Sequence, residues 1–427
     1  MLHTFILPGG LRVLVEELPH THSVSIGCFV GVGSGHEERP IGGISHFIEH
    51  MLFKGSERRP TPKLISDAIE GVGGILDAYT SFESTVYYAK VADIHFDRAL
   101  DVLADMLLHP LFDPRDIEKE RRVITEELRQ TADTPSDLVH LLLDSAMWGD
   151  QPLGRDIAGD EESVASITHD QILAHWREHY TLGNTIISIA GNVDAAKSVA
   201  AIQRMLEGMP KGMVTRSLPS LPPRSGPALL LHADDSEQGN FCLGFPGIPQ
   251  HDRDRRAMMV LDTVLGGAMS SRLFQEIREE RGLAYSIGSY SREHHDAGKW
   301  VIYGSVEPAM LRECLATVMR ELRSARADGI TDDELQRVKE QVKGGILLSL
   351  EDTWSVASRN GSHQLRYGRV IPVEQVVAEV EAVTQADVLR VARRVLREDL
   401  MHLALIGPYD DADDLRELLT LRYTEDF

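Results

Sequence analysis

Cysteine is scarce. Only Cys28, Cys242 and Cys314 occur in 427 residues. An odd, widely spaced set with no C-x-x-C argues against a disulfide framework, so buried free thiols in a reducing compartment are expected. Basic residues are also in deficit: 44 Lys and Arg face 66 Asp and Glu, a net charge of −22. That balance argues against nucleic acid or an anionic membrane as the main partner. It names no substrate, because most of these carboxylates belong on a solvated surface. No stretch is long and apolar enough to span a bilayer. Residues 1–10 lack both a basic segment and an apolar run, so no signal peptide is expected and the cytoplasm is the expected location. What remains is ordinary for a globular chain, 42% apolar and 26% charged, and long enough for two domains with full cores.

Proline and serine bunch once, near the middle. Pro210, Pro219, Pro222, Pro223 and Pro227 fall close to Ser217, Ser220, Ser225 and Gly226. This composition predicts an extended linker over residues 213–228, between domains at 1–212 and 229–427. The two flanks repeat each other. Residues 166–192 (SITHDQILAHWREHYTLGNTIISIAGN) align without a gap on residues 382–408 (AVTQADVLRVARRVLREDLMHLALIGP), placing Thr168 over Thr384, Leu173 over Leu389 and Gly191 over Gly407. Each copy reads as a Thr-capped helix followed by a short apolar strand ending at glycine. A second match pairs the helix around Leu100 and Leu103 with that around Leu315 and Val318. Two ordered matches at nearly one offset indicate duplication. Strands are expected at residues 11–16, 23–32 and 84–91, and helices start at Thr61–Pro62 and Asp113–Pro114. Strands bunch and helices follow in runs, which predicts α+β domains.

One segment carries chemistry. Residues 45–55 read S-H-F-I-E-H-M-L-F-K-G, helical and apolar through Ile44, Phe47, Ile48, Met51 and Leu52. His46 and His50 are four apart, so they project about 40° apart and about 6 Å along the axis. Two imidazoles so placed can grip one metal ion. Glu49 lies on the same side, within reach of a water held by that ion. Zinc suits two imidazoles and a carboxylate with a fourth position left to water. H-x-x-E-H is the reverse of H-E-x-x-H and serves the same chemistry. With 18 histidines in the chain, a chance match somewhere has odds of about one in twenty. Two histidines and a glutamate on an otherwise apolar helix are harder to dismiss, since ionisable groups are rarely buried unpartnered.

A carboxylate partner is sought by the same logic. Residues 116–130 read as a helix on which Ile117, Glu120, Ile124, Glu127 and Leu128 share one stripe. The corresponding helix of the second half carries Leu335, Val338, Val342, Gly345 and Ile346 there. Glu120 and Glu127 therefore stand where apolar residues belong, whereas Glu118 and Glu126 read as surface charges. Glu127 is expected as the third metal ligand, and Glu120, about two turns away, as a carboxylate that orients a histidine.

These residues resemble the pitrilysin–insulinase family of zinc metallopeptidases, and within it the short bacterial relatives of the mitochondrial processing peptidase β subunit. The resemblance spans nearly the whole chain and rests on G-I-S-H-F-I-E-H-M-L-F-K-G, D-A-Y-T-S-F-E-S-T-V-Y-Y-A-K-V, the E-x6-E pair Glu120 and Glu127, P-L-G-R-D-I-A-G and S-S-R-L-F-Q-E-I-R-E-E-R-G-L-A-Y-S-I. It implies two homologous α+β domains, each a curved, mainly antiparallel sheet packed with helices. It implies Zn2+ on His46, His50 and Glu127, Glu49 as general base, and Glu120 in support. It further implies that substrate adds as a strand beside Asp77, Ala78 and Tyr79, where asparagine is usual at Asp77. Arg278 and Tyr285 match substrate-contacting residues. A lone surface arginine and a core tyrosine are the plain readings of those two.

The expected activity is zinc-dependent endopeptidase or oligopeptidase cleavage of unfolded peptides in an enclosed chamber, by a homodimer or by a heterodimer with a paralogue. The rival readings are a silent structural subunit, like the core proteins of respiratory complexes, and the active half of a heterodimeric peptidase. Silent subunits typically lose ligands, and here all four catalytic positions are present. His294–His295–Asp296 reads as a solvated turn, and Gly266–Gly267 lacks the lysine and spacing of a phosphate loop.

Overall fold

The computed structural model describes residues 1–422. Eleven strands are present among them: β1 (Leu2–Ile6), β2 (Arg12–Glu17), β3 (Ser23–Val30), β4 (Ile75–Thr80), β5 (Thr85–Ala92), β6 (Thr185–Gly191), β7 (Ala228–Ala233), β8 (Gly239–Pro246), β9 (Ala284–Glu293), β10 (Gly298–Val306) and β11 (His402–Gly407). They form two sheets, ordered β1-β2-β6-β3-β5-β4 and β7-β11-β8-β10-β9. Without β1, the first order maps strand for strand onto the second, so the duplication legible in the helices extends to the topology. Each sheet is antiparallel except for one parallel pair, β2 with β6 and β7 with β11.

The strands follow their environment. β3 and β6, central in the first sheet, are buried along nearly their whole length and read as continuous small and apolar runs. β4 lies at the sheet edge and alternates exposed and half-buried residues. A tight turn joins it to β5, with the Ser81 amide donating to the Ser84 carbonyl at 2.8 Å.

The chain forms two compact units. One comprises Met1–Leu128, Asp156–Leu218 and Ile346–Ile371; the other comprises Arg129–Arg155, Pro219–Gly345 and Pro372–Phe427. In the first, one sheet face packs on helices Ile44–Leu52, Phe96–Leu108 and Ala195–Met205, with His169–His179 packed on Ile44–Leu52, in a core that includes Val24, Ile26, Phe47, Tyr87 and Leu103. The opposite face, with Leu14, Phe29, Val86 and Ile186, is covered by the helix Thr353–Tyr367 from far along the chain, through Trp354 and Leu365. Polar contacts seat that helix: the Ser188 hydroxyl donates to the Ala357 carbonyl at 2.7 Å, and the Asn360 amide to Glu16 at 2.6 Å.

The second unit is built likewise. Its core runs from Phe241 and Leu243 through Met258, Trp300 and Leu315 to Leu403. Its other sheet face receives the helix Pro135–Trp148 from the first half of the sequence, with Leu143 and Met147 against Gly244 and Asp144 paired with Lys299 at 2.5 Å. All three cysteines are buried and unpaired with one another. No helix among the described residues is long and apolar enough to cross a membrane.

Candidate metal centre

The H-x-x-E-H segment forms the helix Ile44–Leu52. Ile44, Phe47, Ile48, Met51 and Leu52 are buried on its inner face, each contributing roughly 1.5–3 kcal/mol. Its start is closely held. Gly43 adopts φ +89°, and a Cβ there would lie 2.2 Å from the Ala158 carbonyl oxygen, so the residue before the helix must be glycine. The buried Glu37 carboxylate accepts from the Gly43 and Ser45 amides at 2.7 and 2.8 Å, filling two N-terminal donors that the helix cannot fill itself. The Ser45 hydroxyl meets His175 Nε2 at 3.1 Å. The Ala158–Gly159 end of the P-L-G-R-D-I-A-G stretch thus meets the helix start through its backbone.

From this helix His46 and His50 point their Nε2 atoms at each other, 3.2 Å apart. Glu127 comes from the helix Pro114–Ala132, and its Oε2 lies 3.6 Å from His50 Nε2 and 4.0 Å from His46 Nε2. A tetrahedral zinc ion with bonds of about 2.0–2.1 Å separates its ligand atoms by roughly 3.3–3.4 Å. The His46–His50 and His50–Glu127 separations lie close to this, and the Glu127–His46 separation of 4.0 Å is wider. Among the described residues, no other set of three His, Cys, Asp or Glu side chains converges in this way.

Electrostatics favour a cation at this point. Burial, and then the neighbouring His50, push His46 down to about 4, which keeps its imidazole neutral and a lone pair available. Burial also lowers His50, but the hydrogen bond to Glu120 and the charges of Glu127, Glu120 and Glu49 outweigh it and raise the group overall. A field that favours a proton on His50 equally favours a metal ion beside it. His50 Nδ1 faces Glu120 Oε2 at 3.2 Å, leaving Nε2 directed at the shared point. The donors, their spacing and their field all fit Zn2+.

Glu49 is one residue from His50 and accepts a short hydrogen bond from the Thr80 hydroxyl of β4. Burial raises its pKa, with Asp77 and Glu127 adding to the rise, while Thr80 and His50 pull it back. Thr80 was not singled out from the sequence, although it lies two residues beyond Ala78 in the D-A-Y-T run. Asp77 and Ala78 lie on the same edge strand, where the Ala78 amide donates to Asp77 Oδ1 at 2.8 Å and the Tyr88 hydroxyl to Asp77 Oδ2 at 3.2 Å.

Arg278 and Tyr285 lie in the second unit. Arg278 belongs to the short π-helix Phe274–Glu279 and Tyr285 to the edge strand β9. The guanidinium sits over the Tyr285 ring at 5.2 Å and the Phe274 ring at 4.9 Å. Tyr285 is 78% exposed, which removes the core reading. The helix that follows β8, Arg255–Leu265, occupies the chain position held by the H-x-x-E-H helix after β3, and it buries Met258, Leu261, Val264 and Leu265 without a metal motif.

Two α+β units with a two-histidine, one-carboxylate donor set on one of them define a class of duplicated metalloprotein. Residues 12–161 match the family described as insulinase, peptidase family M16, and residues 166–342 match the M16 inactive domain. The chain belongs to this peptidase family. It is 39% identical over 410 residues to a Bacillus subtilis protein named uncharacterized zinc protease YmxG, a match covering 96% of this chain and 98% of that one. Among solved structures it resembles an M16 inactive-domain protein from Pseudomonas fluorescens, with a TM-score of 0.89 at 20% identity over 96% of this chain and 98% of that one. It also resembles a chain of complex III from Candida albicans, with a TM-score of 0.84 at 19% identity over 98% and 99%. At those identities the structures speak for the fold alone.

Proposed function

We propose that this protein is a zinc-dependent endopeptidase or oligopeptidase acting on unfolded peptides in an enclosed chamber. The observation that carries the reading is the convergence of His46 Nε2, His50 Nε2 and Glu127 Oε2, with the half-buried Glu49 carboxylate beside them. Zn2+ is the cofactor; when bound, it polarises the scissile carbonyl and acidifies water.

His46, His50 and Glu127 hold the ion, and Glu120 keeps His50 turned toward it. Glu49 takes a proton from the attacking water as its oxygen bonds to the carbonyl carbon. It delivers that proton to the amide nitrogen as the C–N bond breaks. The Thr80 hydroxyl fixes the Glu49 oxygen that is not needed for transfer. The outer side of β4 has no neighbouring strand in its sheet, so a peptide can add there by backbone pairing, a mode that tolerates many sequences. Asp77, which already accepts from Ala78, accepts from such a peptide but cannot donate to it. Arg278 and Tyr285 are assigned to substrate contact, and the assembly to a homodimer, with a paralogue as the alternative partner. Three buried thiols are consistent with a cytoplasmic location. The structural-subunit reading draws on the inactive-domain match of residues 166–342, but the intact donor set of His46, His50 and Glu127 has no use in such a subunit.

Purified protein is expected to contain zinc and to cut unstructured peptides, with cleavage abolished by chelator and restored by zinc. A stable, tightly folded protein is spared; its efficient cleavage rules out the enclosed chamber.

The ligand choice is tested by neighbours on one helix. Glu127→Gln is expected to weaken zinc binding at least tenfold, and Glu126→Gln to leave it intact, because Glu126 points about 100° away. Metal content after dialysis reads the difference, and the reverse result removes Glu127 from the donor set.

A further inference from the structure

We infer that Lys54 is a positioning residue for the metal centre, acting through Glu120 on His50. The inference rests on the zinc-site reading above and extends it to a residue outside H-x-x-E-H. His46, His50 and Lys54 follow one another at four-residue spacing, so the lysine continues the histidine stripe one turn past His50, two residues beyond the helix end at Leu52. The turn persists, with the Lys54 amide donating to the Met51 carbonyl at 3.0 Å. Lys54 Nζ lies 2.7 Å from Glu120 Oε2, the same oxygen that meets His50 Nδ1 at 3.2 Å.

Glu120 needs such a partner. Its side chain is only 4% exposed, and a buried carboxylate with a single imidazole contact is poorly compensated. The ammonium supplies the countercharge and a second hydrogen bond. It thereby holds one oxygen at a fixed point against His50 Nδ1, and that contact aims Nε2 at the other donors. Orientation of a ligating histidine through its second nitrogen typically carries 10- to 100-fold in metal affinity.

The sign of the effect separates positioning from bulk charge. Lys54 is a cation near a cation site, so on Coulomb grounds alone its removal strengthens zinc binding. Positioning requires the reverse. Competition of zinc against a chromogenic chelator measures this in the full-length protein, with circular dichroism and thermal melting to establish folding. Lys54→Met is expected to bind zinc about tenfold more weakly, and Lys54→Arg to recover most of the loss. In a Glu120→Gln background, Lys54→Met is expected to add no further loss, because the route through the carboxylate is already cut. Lys54→Ala is read the same way should the methionine variant melt early. Unchanged or tighter zinc binding, or an equal loss on the Glu120→Gln background, overturns the inference. His46→Ala keeps the two levels apart: if it retains zinc as the wild type does, the zinc-site reading itself fails. If it loses zinc while Lys54→Met does not, only Lys54 is misassigned.

Discussion

Glu49→Gln is expected to retain zinc and to lose peptidase activity by roughly 100- to 10,000-fold, the range for removing a general base. The substitution keeps the shape of the side chain and an oxygen that accepts from Thr80, but the amide cannot take a proton from water. Glu49 is absent from the three converging donors, so the metal stays. Burial raises the pKa of this carboxylate above its ordinary value, the direction that suits a general base. Metal analysis and peptide turnover on one preparation test both halves of the expectation. Turnover near that of the wild type removes Glu49 from the mechanism, and loss of zinc shows that it is a ligand instead.

The second large effect concerns assembly. The family resemblance implies that the zinc motif is completed by an arginine–tyrosine pair from another domain. This chain carries one zinc motif and one such pair, Arg278 and Tyr285. In the homodimer proposed above, each subunit would complete the other's site, with one interface used twice. His46→Ala and Arg278→Ala are then each strongly impaired alone. Mixed in equal amounts and allowed to exchange, they recover about one quarter of wild-type activity, because half of the dimers are mixed and each has one complete site. That site joins the intact zinc motif of the Arg278→Ala chain to the intact arginine of the His46→Ala chain. Mass spectrometry follows the exchange. If mixed dimers form and activity does not rise, the site is completed within one chain or by a different partner.

Much of the centre was legible because it is local. Two histidines four apart on one apolar helix declare their common direction by helical geometry alone. The helix Pro114–Ala132 buries Ile117, Glu120 and Ile124 on the stripe read from the sequence, with Glu127 one turn further at a half-exposed position. The exposed glutamates Glu118 and Glu126 fall off that stripe, as spacing alone predicts. The edge strand bearing Asp77 and Ala78 was harder to anticipate. Its alternation marks a strand with one open face, but which strand ends a sheet depends on pairings made elsewhere in the chain.

What the sequence determined by itself was the α+β class, the duplication, several helix starts and the donor candidates, each read from local patterns or from the match between the two halves. Tertiary structure decided the rest. Thr80 meets Glu49, Lys54 meets Glu120 and Glu37 caps the metal helix through contacts between segments that no periodicity connects. It also decided that Pro135–Trp148 covers the second sheet and Thr353–Tyr367 the first. An apolar helix face records only that it must be buried, because hydrophobic burial has no preferred direction or partner. Polar contacts such as Lys299 with Asp144 and Asn360 with Glu16 join each helix to its sheet, and they exist only once the chain has folded.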